Sequence, residues 1–273
     1  MLKDLALVVD GRTKEASRHA LSLARRFDAH LTAISADIES AVAVYSTAEL
    51  RYDLILAATQ ERREAASKAV ENLKAQALAE GLVVDALSLE NMDGGGIDDL
   101  TRSLRLFDLI ILEQADSRSS KGRSRTIEAV VFETSKPVLM IPYVPTRAPA
   151  LKTALVAWDD SAPAARALGD ALPLLLQADR VEILSVNGKG SPGHDIHGAA
   201  VTRHLARHGI NSVFKRTPSA GDVGNTLLSH AADVGADFLV MGAYGHSRLR
   251  EAIFGGTTRT LLESMTIPVL MSR

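Results

Sequence analysis

The sequence predicts an α/β protein of two tandem domains, each a doubly wound parallel sheet. Three observations carry this expectation. Short apolar runs alternate with helix-length segments. Strand runs such as Phe238-Leu239-Val240-Met241 are apolar on both faces, as strands in a sheet covered by helices on each side must be. Finally, the whole pattern occurs twice, with a spacing too long for a solenoid and suited to duplicated domains.

The halves open alike. Leu5-Ala6-Leu7-Val8-Val9-Asp10 begins the first and Ala154-Leu155-Val156-Ala157-Trp158-Asp159 the second. Each strand precedes an Ala/Leu/Arg-rich amphipathic stretch, over residues 15–26 and 162–176. Pro163 suits a first helical turn, whereas Pro173 is expected to kink or end its helix. The first half carries extra length, assigned to an added loop or helical segment over 39–56, and then a helix over 59–80.

Both halves also close alike. Asp108-Leu109-Ile110-Ile111-Leu112 leads to Lys136-Pro137-Val138-Leu139-Met140, and Asp237-Phe238-Leu239-Val240-Met241 leads to Ile267-Pro268-Val269-Leu270-Met271. The domains are therefore expected at 1–143 and 151–273. Residues 144–150, with prolines at 145 and 149, form an extended linker. Within the second half, strands are expected at 153–158, 181–186, 212–216, 238–241 and 269–271. Helices are expected at 162–172, 196–208, 223–234 and 252–263.

Composition narrows the function. The 273 residues are 46% hydrophobic and 23% charged, with a net charge of -2 and no cysteine. No basic field is available for nucleic acid or a membrane surface. Disulfides, thiol catalysis and thiolate zinc sites are excluded. The N-terminal apolar run is too short for a signal-peptide core, and no run reaches the roughly eighteen apolar residues of a membrane span. A cytoplasmic protein is the expectation.

The chemistry concentrates at the ends of the predicted strands. Met241-Gly242-Ala243-Tyr244-Gly245 follows the fourth strand of the second half. After nine further residues Gly255-Gly256-Thr257-Thr258 leads into a helix. Glycines at a strand-to-helix transition let backbone N–H groups approach an anion, and the helix N-terminus favours negative charge. Asp159 at the first strand's end can accept from a ribose hydroxyl or an adenine amino group. Val186 at the second strand's end offers an apolar wall or a backbone edge. The set suits a nucleotide; the alternative is that the glycines serve only tight strand–helix packing.

These residues give the second half a resemblance to the universal stress protein (UspA) domain, a Rossmann-like fold. Its nucleotide-binding members carry Gly-x2-Gly-x9-Gly-Ser/Thr. Gly242, Gly245 and Gly255 stand at that spacing, with Asp159 opening the domain and Pro268-Val269 closing it. The resemblance implies ATP or a related adenine nucleotide as ligand, with or without Mg2+. By the same resemblance Asp159 and Val186 meet adenine or ribose; Met241, Gly242 and Gly245 border ribose and phosphates; and Gly255, Gly256 and Thr257 hold the phosphates. One departure stands out: the motif's last position is Gly256, so its hydroxyl is missing unless Thr257 supplies it. The resemblance extends more weakly over the first half, and implies that the two halves pair as a pseudo-dimer through residues 138–141 and 269–271, with a homodimer as a further option.

The first half has lost the glycines. Leu112-Glu113-Gln114-Ala115-Asp116 puts Glu113 and Asp116 where the motif has its first two, so no ATP is expected there. The basic run Lys121, Arg123, Arg125 is expected in a solvated loop, with binding of an anion other than ATP as the alternative. His204 and His208 share a helical face and His194 and His197 stand nearby, but without an evident third ligand no metal is assigned. His246 faces either phosphate or water. No Gly-x-Ser-x-Gly elbow or Gly-x4-Gly-Lys-Ser/Thr loop is present. The expected role is a regulatory nucleotide-binding module, with slow ATP hydrolysis, phosphoryl transfer or nucleotide-independent protein contacts as alternatives.

Overall fold

The computed structural model describes residues 1–36, 52–89, 96–116, 121–146, 150–187, 194–219, 221–243 and 256–273. The chain divides into two compact units, Met1–Tyr143 and Val144–Arg273.

Unit 1 runs β1 (Asp4–Val9), α1 (Lys14–Phe27), β2 (His30–Ala36), α2 (Tyr52–Ala79), β3 (Val84–Leu89), α3 (Gly96–Leu104), β4 (Leu109–Glu113), α4 (Lys121–Glu133) and β5 (Val138–Ile141). Its strands lie in the order β3-β2-β1-β4-β5, all parallel. Unit 2 runs β6 (Thr153–Ala157), α5 (Ala162–Leu175), β7 (Arg180–Asn187), α6 (His194–Arg207), β8 (Ser212–Pro218), α7 (Val223–Val234), β9 (Phe238–Gly242), α8 (Gly256–Ser264) and β10 (Val269–Ser272). Its order, β8-β7-β6-β9-β10, is the same and also parallel. In each unit the order reverses beside the first strand, between β1 and β4 and between β6 and β9. That is the crevice where doubly wound sheets hold ligands.

The central strands are apolar because both faces are covered. Residues 5–9 of β1 and 154–156 of β6 are all buried, as are Ile110 and Ile111 of β4 and Leu239 and Val240 of β9. The duplication extends to single hydrogen bonds. Asp108 Oδ2 accepts from the Lys3 and Asp4 amides at 2.8 and 3.1 Å. Asp237 Oδ2 accepts from the Lys152 and Thr153 amides at 2.8 and 2.9 Å. Ile110 N donates to Pro137 O and Leu239 N to Pro268 O, at 3.0 and 2.9 Å. Gln114 N donates to Ile141 O and Ala243 N to Ser272 O, both at 2.7 Å. Glu113 of unit 1 therefore occupies the position of Gly242 in unit 2.

Two expectations change. Helix α5 does not end at Pro173 but continues to Leu175. Only its last turn lies beyond the proline, and Leu174 and Leu175 are fully buried there, so burial outweighs the lost backbone bond. Helix α2 begins at Tyr52, earlier than residue 59. Residues 39–51 of the expected insertion lie outside the described residues, as do 147–149 of the linker. Among the described residues no helix is long and apolar enough to cross a membrane.

Candidate functional site

The switch point of unit 2 is framed by the ends of β6 and β9. Beyond β6, Asp159 is exposed and its Oδ1 accepts from Ser161 N at 3.0 Å, closing a turn. Asp160 in that turn takes φ 62°, and Trp158 Nε1 donates to its Oδ1 at 2.7 Å. Ser161 then caps α5 by accepting from Ala164 N at 3.2 Å.

Gly242 ends β9 directly against that cap. A Cβ added to it would lie 2.4 Å from Ala164 N and 2.5 Å from Pro163 C, so any side chain would force β9 and α5 apart. Close strand–helix packing is therefore one reason for glycine at this position. Met241 is buried, paired in register with Met271. Val186, half-buried near the end of β7, is paired with Thr217 of β8. Gly245, Gly255 and His246 lie outside the described residues.

Across the crevice, α8 starts at Gly256, which is exposed and has open space where a Cβ would be. Thr257 is half-buried and Thr258 is 3% exposed. The first turn of α8 carries no acid, so its amides keep their preference for an anion. The helix is fixed by Thr260 Oγ1, which donates at 2.8 Å to Asp222 Oδ2, the cap of α7. Burial would raise the Asp222 carboxyl, but bonds from Asn225, Thr260 and Gly224 hold it below the usual range.

Unit 1 fills the equivalent space with its own side chains. Asp10 Oδ1 accepts from Arg12 N at 3.0 Å, the same turn that Asp159 makes. Its Oδ2, however, is paired with Arg123 of α4. Arg123 is 3% exposed, and its Nη2 donates to Glu113 O at 3.1 Å. Burial lowers the guanidinium to about 10, so it stays charged at neutral pH. Glu113, 5% exposed, turns its Oε2 to the first turn of α1 and accepts from Ala16 N at 2.9 Å. Burial pushes its carboxyl up to about 7, although bonds from the Ala16 and Glu15 amides pull it down.

The expectation of a solvated loop for the basic run is thus corrected: Lys121, Arg123 and Arg125 all lie on α4, where Arg125 is exposed but Arg123 is buried. The residue shares a helical stripe with Ile127 and Val130, both buried, and an arginine in that stripe was the available signal. The side chain of Lys121 lies outside the described residues. His204 and His208 are exposed and meet edge to face, their ring centroids 4.8 Å apart. Among the described residues no group of three or more His, Asp or Glu is placed to hold a metal.

Residues 150–273 match the model of the universal stress protein family. The second unit is a universal stress protein domain. Universal stress protein Slr1230 from a Synechocystis strain is 40% identical over 53 residues, 19% of this chain and 18% of that relative's length. The chain thus matches about a fifth of that relative. A universal stress protein structure from Archaeoglobus fulgidus covers 99% of this chain and 96% of its own, with a TM-score of 0.75 at 15% identity. A Pseudomonas aeruginosa structure described as a putative universal stress protein covers 100% and 93%, with a TM-score of 0.61 at 16% identity. At such identities the likeness is one of fold, and it extends over unit 1. Unit 2 thus carries the family match, and unit 1 shares the fold with side chains of its own at the switch point.

Proposed function

We propose that unit 2 binds ATP or a related adenine nucleotide, making the protein a nucleotide-responsive module of the stress response. The reading is supported by an exposed Asp159 after β6 and an acid-free helix N-terminus at Gly256-Thr257 after β9, the two strands that flank the switch point. Asp159 Oδ2 accepts from a ribose hydroxyl or the adenine amino group. The amides of α8's first turn and the Thr257 hydroxyl take the phosphates, Thr257 replacing the hydroxyl that Gly256 lacks. The Gly242 packing adds that β9 and α5 meet without an intervening side chain. A bound nucleotide would bias the conformation by contacting one arrangement of this crevice better than another.

Native mass spectrometry of the gently purified full chain tests the reading. The expected spectrum shows the chain carrying the mass of one adenine nucleotide, present from purification or after addition of ATP. A spectrum of bare chain at millimolar ATP would overturn it.

A further inference from the structure

The turn that carries Asp159 is held by a side chain from the strand before it. Asp160, the middle residue of the turn, sits at φ 62°, in the left-handed region that residues with a side chain rarely adopt. Trp158 Nε1 donates to Asp160 Oδ1 at 2.7 Å across that turn. The indole reaches over from a fixed backbone, because the Trp158 amide donates to Leu184 O at 2.9 Å and so stays paired to β7.

Unit 1 shows the same aspartate turn without this bond. Val9 precedes Asp10 there, and Gly11 follows it outside the left-handed region. Helix α1 takes Thr13 as its cap, three residues after the aspartate, and Thr13 makes no side-chain cap bond. In unit 2 the left-handed Asp160 shortens the passage by one residue. Ser161, two residues after Asp159, both donates its amide to Asp159 Oδ1 and caps α5 through its hydroxyl. The Asp159 carboxylate is therefore tied to the start of α5 through a single residue, and the conformation that ties it is the one Trp158 secures.

We infer that Trp158 is a positioning residue for the nucleotide site: its indole N–H keeps Asp160 left-handed, and so holds the Asp159 carboxylate in one direction before ligand arrives. The inference rests on the nucleotide reading of unit 2. Without the bond, residue 160 is released from a conformation that is costly for a side chain. Asp159 then turns among several directions, and ATP meets an acceptor that is no longer preset. The indole acts through the turn and does not stack on the base.

Calorimetric titration of ATP into the full chain and its variants tests this. Trp158→Phe should weaken ATP about three- to tenfold, the net contribution of one hydrogen bond. Asp160→Ala removes the acceptor, leaves the indole in place and should weaken ATP comparably; it serves if Trp158→Phe does not fold. Asp160→Asn keeps an oxygen for the indole and should recover the affinity lost in Asp160→Ala. In an Asp160→Gly or an Asp159→Asn background, Trp158→Phe should change the affinity by less than about twofold, because the residue it acts through is gone. Equal losses from Trp158→Phe in every background would mean that the indole touches ATP itself, and would overturn the inference. Wild-type affinity in Trp158→Phe or in Asp160→Ala would overturn it as well. A wild type that binds no ATP would remove the nucleotide reading and the inference with it, a result distinct from ATP binding without this coupling.

Discussion

Arg123 on α4 and Asp10 at the end of β1 form an ion pair inside unit 1, where unit 2 has the exposed Asp159. The turn around the aspartate is the same in both units, so the difference lies in what meets its second oxygen. Breaking a buried pair from one side leaves an uncompensated charge. Arg123→Met should therefore destabilise unit 1 by about 3 kcal/mol. Denaturant unfolding of full-length protein measures this, and an unchanged midpoint would contradict it. The variant should not acquire ATP binding, because Glu113 still stands at the position of Gly242.

Gly242 makes the steric counterpart of that prediction in unit 2. Gly242→Ala places a methyl against Ala164 N and Pro163 C, both backbone atoms that cannot rotate away. Overpacking of this kind costs about 1–3 kcal/mol. A thermal melt should show the loss without any ligand present. A variant as stable as the wild type would mean that β9 and α5 are not in this contact.

The stability of unit 1 should fall as pH rises through the Glu113 titration. Its carboxyl is pushed by burial from 4.5 up to about 7. Between these values the folded chain holds a proton that the unfolded chain has released. The contribution is complete below about pH 4.5 and gone above about pH 7, amounting to at most about 3 kcal/mol. Glu128, partly exposed and also pushed up to about 7 by burial, adds a smaller loss of the same sign. Glu113→Gln keeps an acceptor for Ala16 N and removes the ionisation. Its stability relative to wild type should increase across this window; a constant difference would contradict the assignment.

A buried carboxylate away from either switch point offers a control. Glu182 on β7 is 1% exposed and receives His230, Lys215 and Arg180. Burial acts to raise its carboxyl, but these partners outweigh burial and hold it below the usual range. Glu182→Gln should destabilise unit 2 by about 2–4 kcal/mol, read by unfolding, while leaving ATP affinity of the folded fraction unchanged.

Asp159 separates binding from folding. Asp159→Asn retains an oxygen for Ser161 N and removes the charge offered to ribose or adenine. Loss of a charge-assisted hydrogen bond is worth about 1.5–3 kcal/mol. ATP should therefore bind at least about tenfold more weakly, with the melting temperature of the free protein unchanged. Equal affinity would remove Asp159 from the site.

Much of the fold was legible because the duplication states it twice. Residues 138–141 and 223–234 form the expected strand and helix without adjustment, and the strands of unit 2 differ from expectation only at their ends. Apolar runs bounded by Asp and Pro carry that information locally. Pro173 misled because tertiary burial of Leu174 and Leu175 overrides a local preference. The unit 1 site was legible only in part. Glu113 and Asp116 announce the lost glycines, but Arg123 meets Asp10 across more than a hundred residues, and no local spacing encodes that meeting. Glu61, Arg63, Glu64 and Lys68 of α2 are exposed, as their charge pattern predicts, whereas the Gly11–Ala65 approach is another long-range contact that no local spacing encodes.

Isothermal titration of ATP into the full chain tests the central claim most directly, because the two units make opposite predictions in one stoichiometry. One ATP per chain is expected, held by unit 2 and refused by the side-chain-filled switch point of unit 1. No heat at millimolar ATP would contradict the nucleotide site, and two ATP per chain would contradict the closure of unit 1 by Arg123 and Glu113.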